Sequence, residues 1–291
     1  MDAAVFQCGP SAPIFPLQNR YPVMQRVRPK LGLSLNTLAP PPPPKKNASA
    51  ELRGMSRNDV AASTQTRFAL NHGAPTYDVA MRGRGEQHAG WSAFNQSALT
   101  GTDAFIHMDR VSPKSQGDFA GDKIHLSVAP QHVEAAFNAI AKILQAEDSP
   151  VDKWKVTDMS RMHANMSPEQ QRVTLGAQFT IYAKPDRPDH TYSPQYMGKL
   201  RGMIKSVENE LRHAGVAPSS NRPTSDVSSQ HWQFASYRNE RNSERVGSPT
   251  RNQGLEHEPF FQLVAFPDAS PTSANSMRSH SSLLPAPWNR G

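Results

Sequence analysis

The sequence predicts an α+β fold: a twisted, largely antiparallel sheet or sheets flanked by helices, with disordered N- and C-terminal extensions. Three observations lead there. Strand-like alternation and helix-like stripes both occur between residues 61 and 267. They do not follow the strict β-α-β order of a parallel sheet. Proline gathers outside this stretch, with 10 of the 26 prolines in residues 1–60 and 3 more in 268–291. What remains is about 200 residues, enough to bury a core.

Taken in chain order, residues 1–64 read as a disordered segment. They carry few periodic apolar positions and a Pro40 to Pro44 run that favours a stiff polyproline spacer. Residues 122–128 alternate polar and apolar, as in Lys123-Ile-His125-Leu, which predicts a half-buried strand. After Pro130, Val133, Phe137, Ile140 and Leu144 fall on one helical stripe across 131–146. Val151 to Val156 is a second alternating strand. Arg172 to Lys184 reads as a third and the clearest, with Val173, Leu175, Ala177, Phe179 and Ile181 facing one way. Ser193-Pro194 supplies an N-cap and an N1 proline for a helix lined by Met197, Leu200, Ile204, Val207 and Leu211, closed by Gly215. Strands are expected near Trp232 to Tyr237 and at Phe260 to Phe266. The folded body is then 65–267, and the Ser-rich 268–291 is a disordered tail.

Charge narrows the function classes. The chain is +7 overall, but residues 1–60 carry +5 and 268–291 carry +1, so the body is nearly neutral. The basic pI therefore comes from the ends and not from a nucleic-acid-binding domain. No apolar run is long enough to span a bilayer. Cys8 is the only cysteine, which excludes a disulfide framework and a thiol nucleophile in the body. The first residues lack the basic and apolar regions of a cleaved secretory signal.

The polar faces of the strands are unusually cationic. Lys123 and His125 share one face, Lys153 and Lys155 another, and Arg172, Tyr182 and Lys184 a third, with Arg238 and Arg245 downstream. Converging, they would form a pocket for a phosphate dianion, which Arg binds bidentately and Lys as a point charge. Read alone, they equally suit the solvated face of a half-exposed sheet. Arg26, Arg28 and Lys30 precede Leu31, Leu33 and Leu35, which an extended peptide would place on one side. Alone, that segment equally suits a Leu-rich linker. Walker, HExxH, GxSxG and cysteine-phosphatase signatures are absent.

Several blocks in order carry a more specific signal. Phe105-Ile-His107, Ser112-Pro-Lys-Ser-Gln-Gly117, Phe119 to Val128, Asp148 to Asp158, Leu175 to Tyr182 and Ser236-Tyr-Arg238-Asn-Glu240 resemble the phosphothreonine lyases. These are effectors that pathogenic bacteria inject into host cells by type III secretion. The resemblance spans about residues 65–267. It implies irreversible inactivation of host mitogen-activated protein kinases by β-elimination of phosphate from the phosphothreonine of a Thr-x-Tyr activation loop, leaving dehydrobutyrine. It implies Lys155 as general base and His125 as general acid. Lys123, Arg172, Tyr182, Arg238 and Arg245 match positions that hold the phosphate or support the site, and Lys184 and Asp226 fall at matching positions too. The segment from Arg26 to Leu35 resembles the family's kinase-docking motif.

The chemistry accords with those roles. A lysine is a base only when neutral, so its pKa must fall from about 10.4. Burial and neighbouring cations both act in that direction. Histidine already titrates near neutrality and suits the acid. No cofactor or metal is expected, and no nucleic-acid or membrane partner. The expected partner is a doubly phosphorylated host kinase, met by a monomeric enzyme in the host cytoplasm or nucleus. Two alternatives remain: a phosphothreonine hydrolase using the same pocket, and a non-catalytic docking protein that masks phosphorylated kinases.

Overall fold

The computed structural model describes residues 46–96, 103–163, 165–242 and 254–268. Seven strands form one sheet: β1 (Arg84–His88), β2 (Trp91–Asn95), β3 (Phe105–Arg110), β4 (Asp122–Leu126), β5 (Lys153–Thr157), β6 (Phe179–Tyr182) and β7 (Ala235–Asn239). Their spatial order is β1-β2-β3-β5-β6-β4-β7, and every neighbouring pair is antiparallel. Among the described residues the helices α1 (Ala48–Gly54), α2 (Arg57–Ala62), α3 (Tyr77–Met81), α4 (Val133–Leu144), α5 (Pro168–Gln171), α6 (Pro194–His213) and α7 (Pro259–Val264) accompany them.

Alternation divides the sheet into two unlike faces. Ile106, Met108, Ile124, Leu126, Trp154, Val156, Phe179 and Ile181 point to the buried side. There they join Phe137 and Ile140 of α4 and Met197, Leu200 and Val207 of α6 in one core cluster. The opposite side keeps the polar residues of the same strands. The helix α6 begins as its sequence predicts: Ser193 Oγ accepts from the Tyr196 amide at 3.0 Å, and Pro194 stands at its first turn. It ends where Gly215 takes φ +66°, a conformation that glycine adopts without strain.

Four expectations need correcting. Residues 46–64 are not a disordered approach to the domain, because α1 and α2 lie there and α2 packs on α6. Gly198 and Gly202 explain the packing. A Cβ at Gly198 would come within 2.5 Å of Ser63, and one at Gly202 would overlap the Gln65 carbonyl. Two glycines one turn apart thus let the chain after α2 cross the helix at backbone contact. The remainder of the segment expected to be disordered, 1–45, and most of the tail lie outside the described residues.

The expected strand from Arg172 to Lys184 is only β6 at its end. A capping box between Ser167 and Gln170 starts α5, and a π-type turn (Arg172–Gly176) continues it. Val173, Thr174 and Gly176 are buried, whereas Arg172 and Leu175 are only partly so. The apolar alternation was therefore one turn of a wound segment. The expected strand at Phe260 to Phe266 is α7. Pro259 occupies its first turn, and its buried positions, Phe260, Phe261, Leu263 and Val264, have helical spacing. The strand expected near Trp232 begins only at Ala235.

Candidate active site

The site lies on the polar face of the four strands β5, β6, β4 and β7. Register brings its residues together. Lys123 on β4 stands opposite Tyr182 on one side and Arg238 on the other. His125, two residues along, stands opposite Thr180 and Ser236. Lys155 on β5 is paired with Thr180 and, across its other edge, with His107. Adjacent strands are about 4.8 Å apart, so the lysine, the histidine and the arginine lie within a few strand spacings of one another on that face.

Asp122, on the buried side of β4, fastens this register. Its carboxylate accepts from Tyr192 OH (2.9 Å), Tyr237 OH (2.7 Å) and Asn239 Nδ2 (2.9 Å). Tyr237 and Asn239 flank Arg238 on β7, so these bonds hold Arg238 beside Lys123.

His125 is buried, and its Nδ1 lies 2.6 Å from Asp226 Oδ2. A carboxylate acceptor there fixes a proton on Nδ1 and leaves Nε2 as the position that faces chemistry. Asp226 is itself held by Ser236 Oγ and Ser225 Oγ, each at 2.9 Å, and by Arg172 Nη2 at 3.8 Å. Burial acts to raise its carboxyl, but the charges and hydrogen bonds of His125 and Arg172 outweigh burial and hold it below the ordinary range. Burial, with help from Arg172 and Lys123, pushes His125 below the usual imidazole value, against the pull of Asp226.

Lys155 has different surroundings. Its Nζ sits 3.5 Å from the centroid of the Phe105 ring. Among the described residues no carboxylate makes an ion pair with it, whereas Lys123 pairs with Glu240 (2.7 Å) and Lys153 with Asp109 (3.2 Å). Burial, aided by Lys123 and Lys153, brings its pKa down to about 8, although Asp103 and Glu240 oppose the shift. Burial also pushes the Tyr182 phenol up, so that group is a neutral donor. Its ring meets Phe119 edge-on at 5.6 Å.

The structure thus brings together Lys123, His125, Lys155, Tyr182, Arg172, Asp226 and Arg238. Lys184 follows β6 on the same alternation as Tyr182, and its amide donates to Tyr196 OH at 3.0 Å. Arg245 and the segment holding Arg26, Arg28, Lys30, Leu31, Leu33 and Leu35 lie outside the described residues. Sequence reasoning missed Phe105, Glu240 and Ser236 as contributors. Phe105 carried a usable signal, because it shares its face of β3 with His107 and Asp109, where an aromatic residue is out of place.

Comparison with known proteins identifies the family. The OspF/SpvC family model matches residues 19–266. The chain belongs to the OspF/SpvC family. Its enzymatic class is that of the phosphothreonine lyases. A MAPK phosphothreonine lyase of Salmonella typhimurium is 45% identical over 183 residues, covering 62% of this chain and 73% of that protein. The phosphothreonine lyase OspF of Shigella flexneri is 40% identical over 197 residues, covering 68% and 78%. Among solved structures, the Chromobacterium violaceum VirA (SpvC) phosphothreonine lyase effector superposes with a TM-score of 0.68 at 36% identity, covering 75% of this chain and 99% of that one. The Salmonella plasmid virulence C protein (SpvC) gives 0.68 at 38% identity, covering 76% and 100%. The family match begins at residue 19, well upstream of the residue 65 from which the sequence blocks carry the resemblance.

Proposed function

We propose that this chain inactivates host mitogen-activated protein kinases by β-elimination at the activation-loop phosphothreonine, with Lys155 as general base and His125 as general acid. The observation that carries the assignment is the contrast among the site's cations. Lys123, Lys153 and Arg172 each have a carboxylate partner, while the Lys155 amine rests on an aromatic ring with its pKa brought to about 8. Such an amine is the easiest of these cations to hold neutral.

In the step itself, the Lys155 lone pair takes the phosphothreonine Cα proton. The Cα–H electrons form the Cα=Cβ bond, and the Cβ–O bond breaks toward phosphate. His125 gives its Nε2 proton to the departing oxygen. The products are dehydrobutyrine and inorganic phosphate. The hydroxyl is lost with the phosphate, so no kinase can restore the residue. Arg172, Arg238 and Lys123 bind the dianion, with Arg245 and Lys184 as further cations, and Tyr182 donates a hydrogen bond. An arriving dianion also raises the His125 pKa, which favours the protonated form when it is needed.

The natural substrate in this reading is a doubly phosphorylated Thr-x-Tyr loop, and delivery is by type III secretion into the host cytoplasm or nucleus. The N-terminal reach of the family match supports kinase docking by Arg26 to Leu35. Removing residues 1–38 should then weaken action on intact kinase and spare a short peptide. Equal losses on both would assign the segment to the fold.

Mass spectrometry of a doubly phosphorylated Thr-x-Tyr peptide tests the reaction. Elimination leaves a product one water lighter than the hydrolysed peptide. A product that retains its threonine hydroxyl would make the enzyme a phosphatase. An unchanged peptide and an unchanged kinase would leave only the masking alternative.

A further inference from the structure

Beside Lys155 stands a carboxylate that the proposed mechanism leaves unused. Asp103 stands just before β3, and each oxygen of its carboxylate has a separate task. Oδ1 accepts from the Phe105 amide at 3.1 Å, and Oδ2 lies 3.0 Å from His107 Nε2. Phe105 and His107 follow on the same face of β3, with their rings edge-on and 6.4 Å apart. His107 is the direct cross-strand partner of Lys155, and Phe105 carries the Lys155 amine on its ring. Asp103 therefore ties down both residues that border the lysine on that side.

We propose that Asp103 and His107 are positioning residues for Lys155: together they hold the Phe105 ring beneath the amine and keep one tethered negative charge beside it. This rests on the reading of Lys155 as the base. A long lysine side chain has many rotamers, and an amine that must meet a Cα proton gains rate from being confined to one of them. The Phe105 ring face attracts the ammonium that forms when the proton is taken. The tether matters equally. Asp103 bonded to His107 stays out of ion-pair contact with Lys155, so the amine is not locked in its charged form.

Other titratable groups surround the same amine. Lys153 shares its strand, Asp109 shares a strand with His107, and Lys123 and His125 face it from β4. Tyr182 on β6, and Arg238 with Glu240 at the end of β7, complete the surroundings. Among all the charges around the amine, Asp103 exerts the strongest effect on Lys155, and it favours the ammonium.

The test follows the Lys155 amine by NMR, with a carbon-13 label at lysine Cε and the signal assigned by its loss in Lys155→Arg. Asp103→Asn keeps an acceptor for the Phe105 amide and removes the charge. The titration midpoint of Lys155 should fall by about one unit. His107→Ala frees the carboxylate to approach the amine, and the midpoint should rise. Opposite shifts from two halves of one hydrogen bond are not what a merely structural pair would give. In turnover of the phosphothreonine peptide, Asp103→Ala should lower kcat about tenfold with KM unchanged. If Lys155→Ala is inactive but the midpoint stays fixed in both Asp103→Asn and His107→Ala, the positioning role is overturned and the base assignment stands. If Lys155→Ala keeps wild-type kcat, the base assignment fails and takes this inference with it.

Discussion

Two buried carboxylates, one on each side of the sheet, show how surroundings divide structure from chemistry. Asp122 and Asp226 are both nearly inaccessible and both fully engaged by donors. Asp122 faces the core and receives only neutral donors, two tyrosines and an asparagine. Burial drives its carboxyl above the ordinary value. Asp226 faces the site, where His125 and Arg172 hold it below that value despite burial. The neutral network fixes where β7 lies against β4. The charged one fixes which nitrogen of a histidine carries its proton. The same side chain therefore serves as scaffold on one face and, in the proposed mechanism, supports the general acid on the other.

The widest separation between the faces should come from Lys155→Ala. Loss of the base should cut kcat by about 10²–10⁴ without unfolding the protein, read by phosphate release and by thermal melting. His125→Ala should likewise act on kcat, whereas Arg172→Ala and Arg238→Ala should act chiefly on KM. An Arg238→Ala enzyme with both constants unchanged would remove Arg238 from the phosphate site.

Substituting the two carboxylates themselves sharpens the contrast. Asp226→Asn leaves His125 without its anionic partner and should lower kcat about 10²-fold with a folded protein. Asp122→Asn turns an amide toward tyrosine hydroxyls that need an acceptor. It should cost about 1–3 kcal/mol of stability, measured by urea unfolding, with kcat of the folded fraction preserved. If the two variants had the same effects, the proposed division between the faces would be wrong.

The dependence on pH follows from the same surroundings. In the proposed mechanism the reactive form has Lys155 neutral and His125 protonated. Burial and neighbouring cations bring Lys155 down to about 8, and burial holds His125 below the usual imidazole value. At low pH both are protonated and the base is lost. At high pH both are deprotonated and the acid is lost. The profile of kcat/KM should therefore be bell-shaped, with its maximum between the two midpoints and a decline above about 8. A rate that climbs on through pH 9 would remove the need for a general acid.

The smallest effect concerns the fold alone. Gly202→Ala should push the chain after α2 away from α6 and cost about 1–3 kcal/mol, with kcat of the folded enzyme unchanged. A neutral substitution would mean that α1 and α2 are not held by that crossing.

Much of this was legible in the sequence where one periodicity acted alone. The strands β4 and β5 and the helices α4 and α6 have one apolar face and one polar face, so alternation or stripe identifies each. The edge strand β1 is almost wholly exposed, and Arg84-Gly-Glu-Gln-His carries no apolar pattern to detect. Its hairpin shows only in the turn, where Ala89 and Gly90 both take positive φ. Residues 172–176 and 259–264 were misread because short apolar runs suit strand and helix equally. The cationic faces of β4 and β5 were visible, but their convergence depends on strand order, which alternation does not encode. Asp226 lies 101 residues from the histidine it orients, in a loop with no pattern of its own, and only the family resemblance pointed to it.

The central claim is that Lys155 removes the Cα proton of phosphothreonine. A single-turnover comparison of two peptides, one with hydrogen and one with deuterium at that Cα, tests it most directly. The account predicts a several-fold slower phosphate release from the deuterated peptide, and near-complete loss of release from both in Lys155→Ala. Equal rates for the two peptides, with a threonine hydroxyl retained in the product, would contradict it.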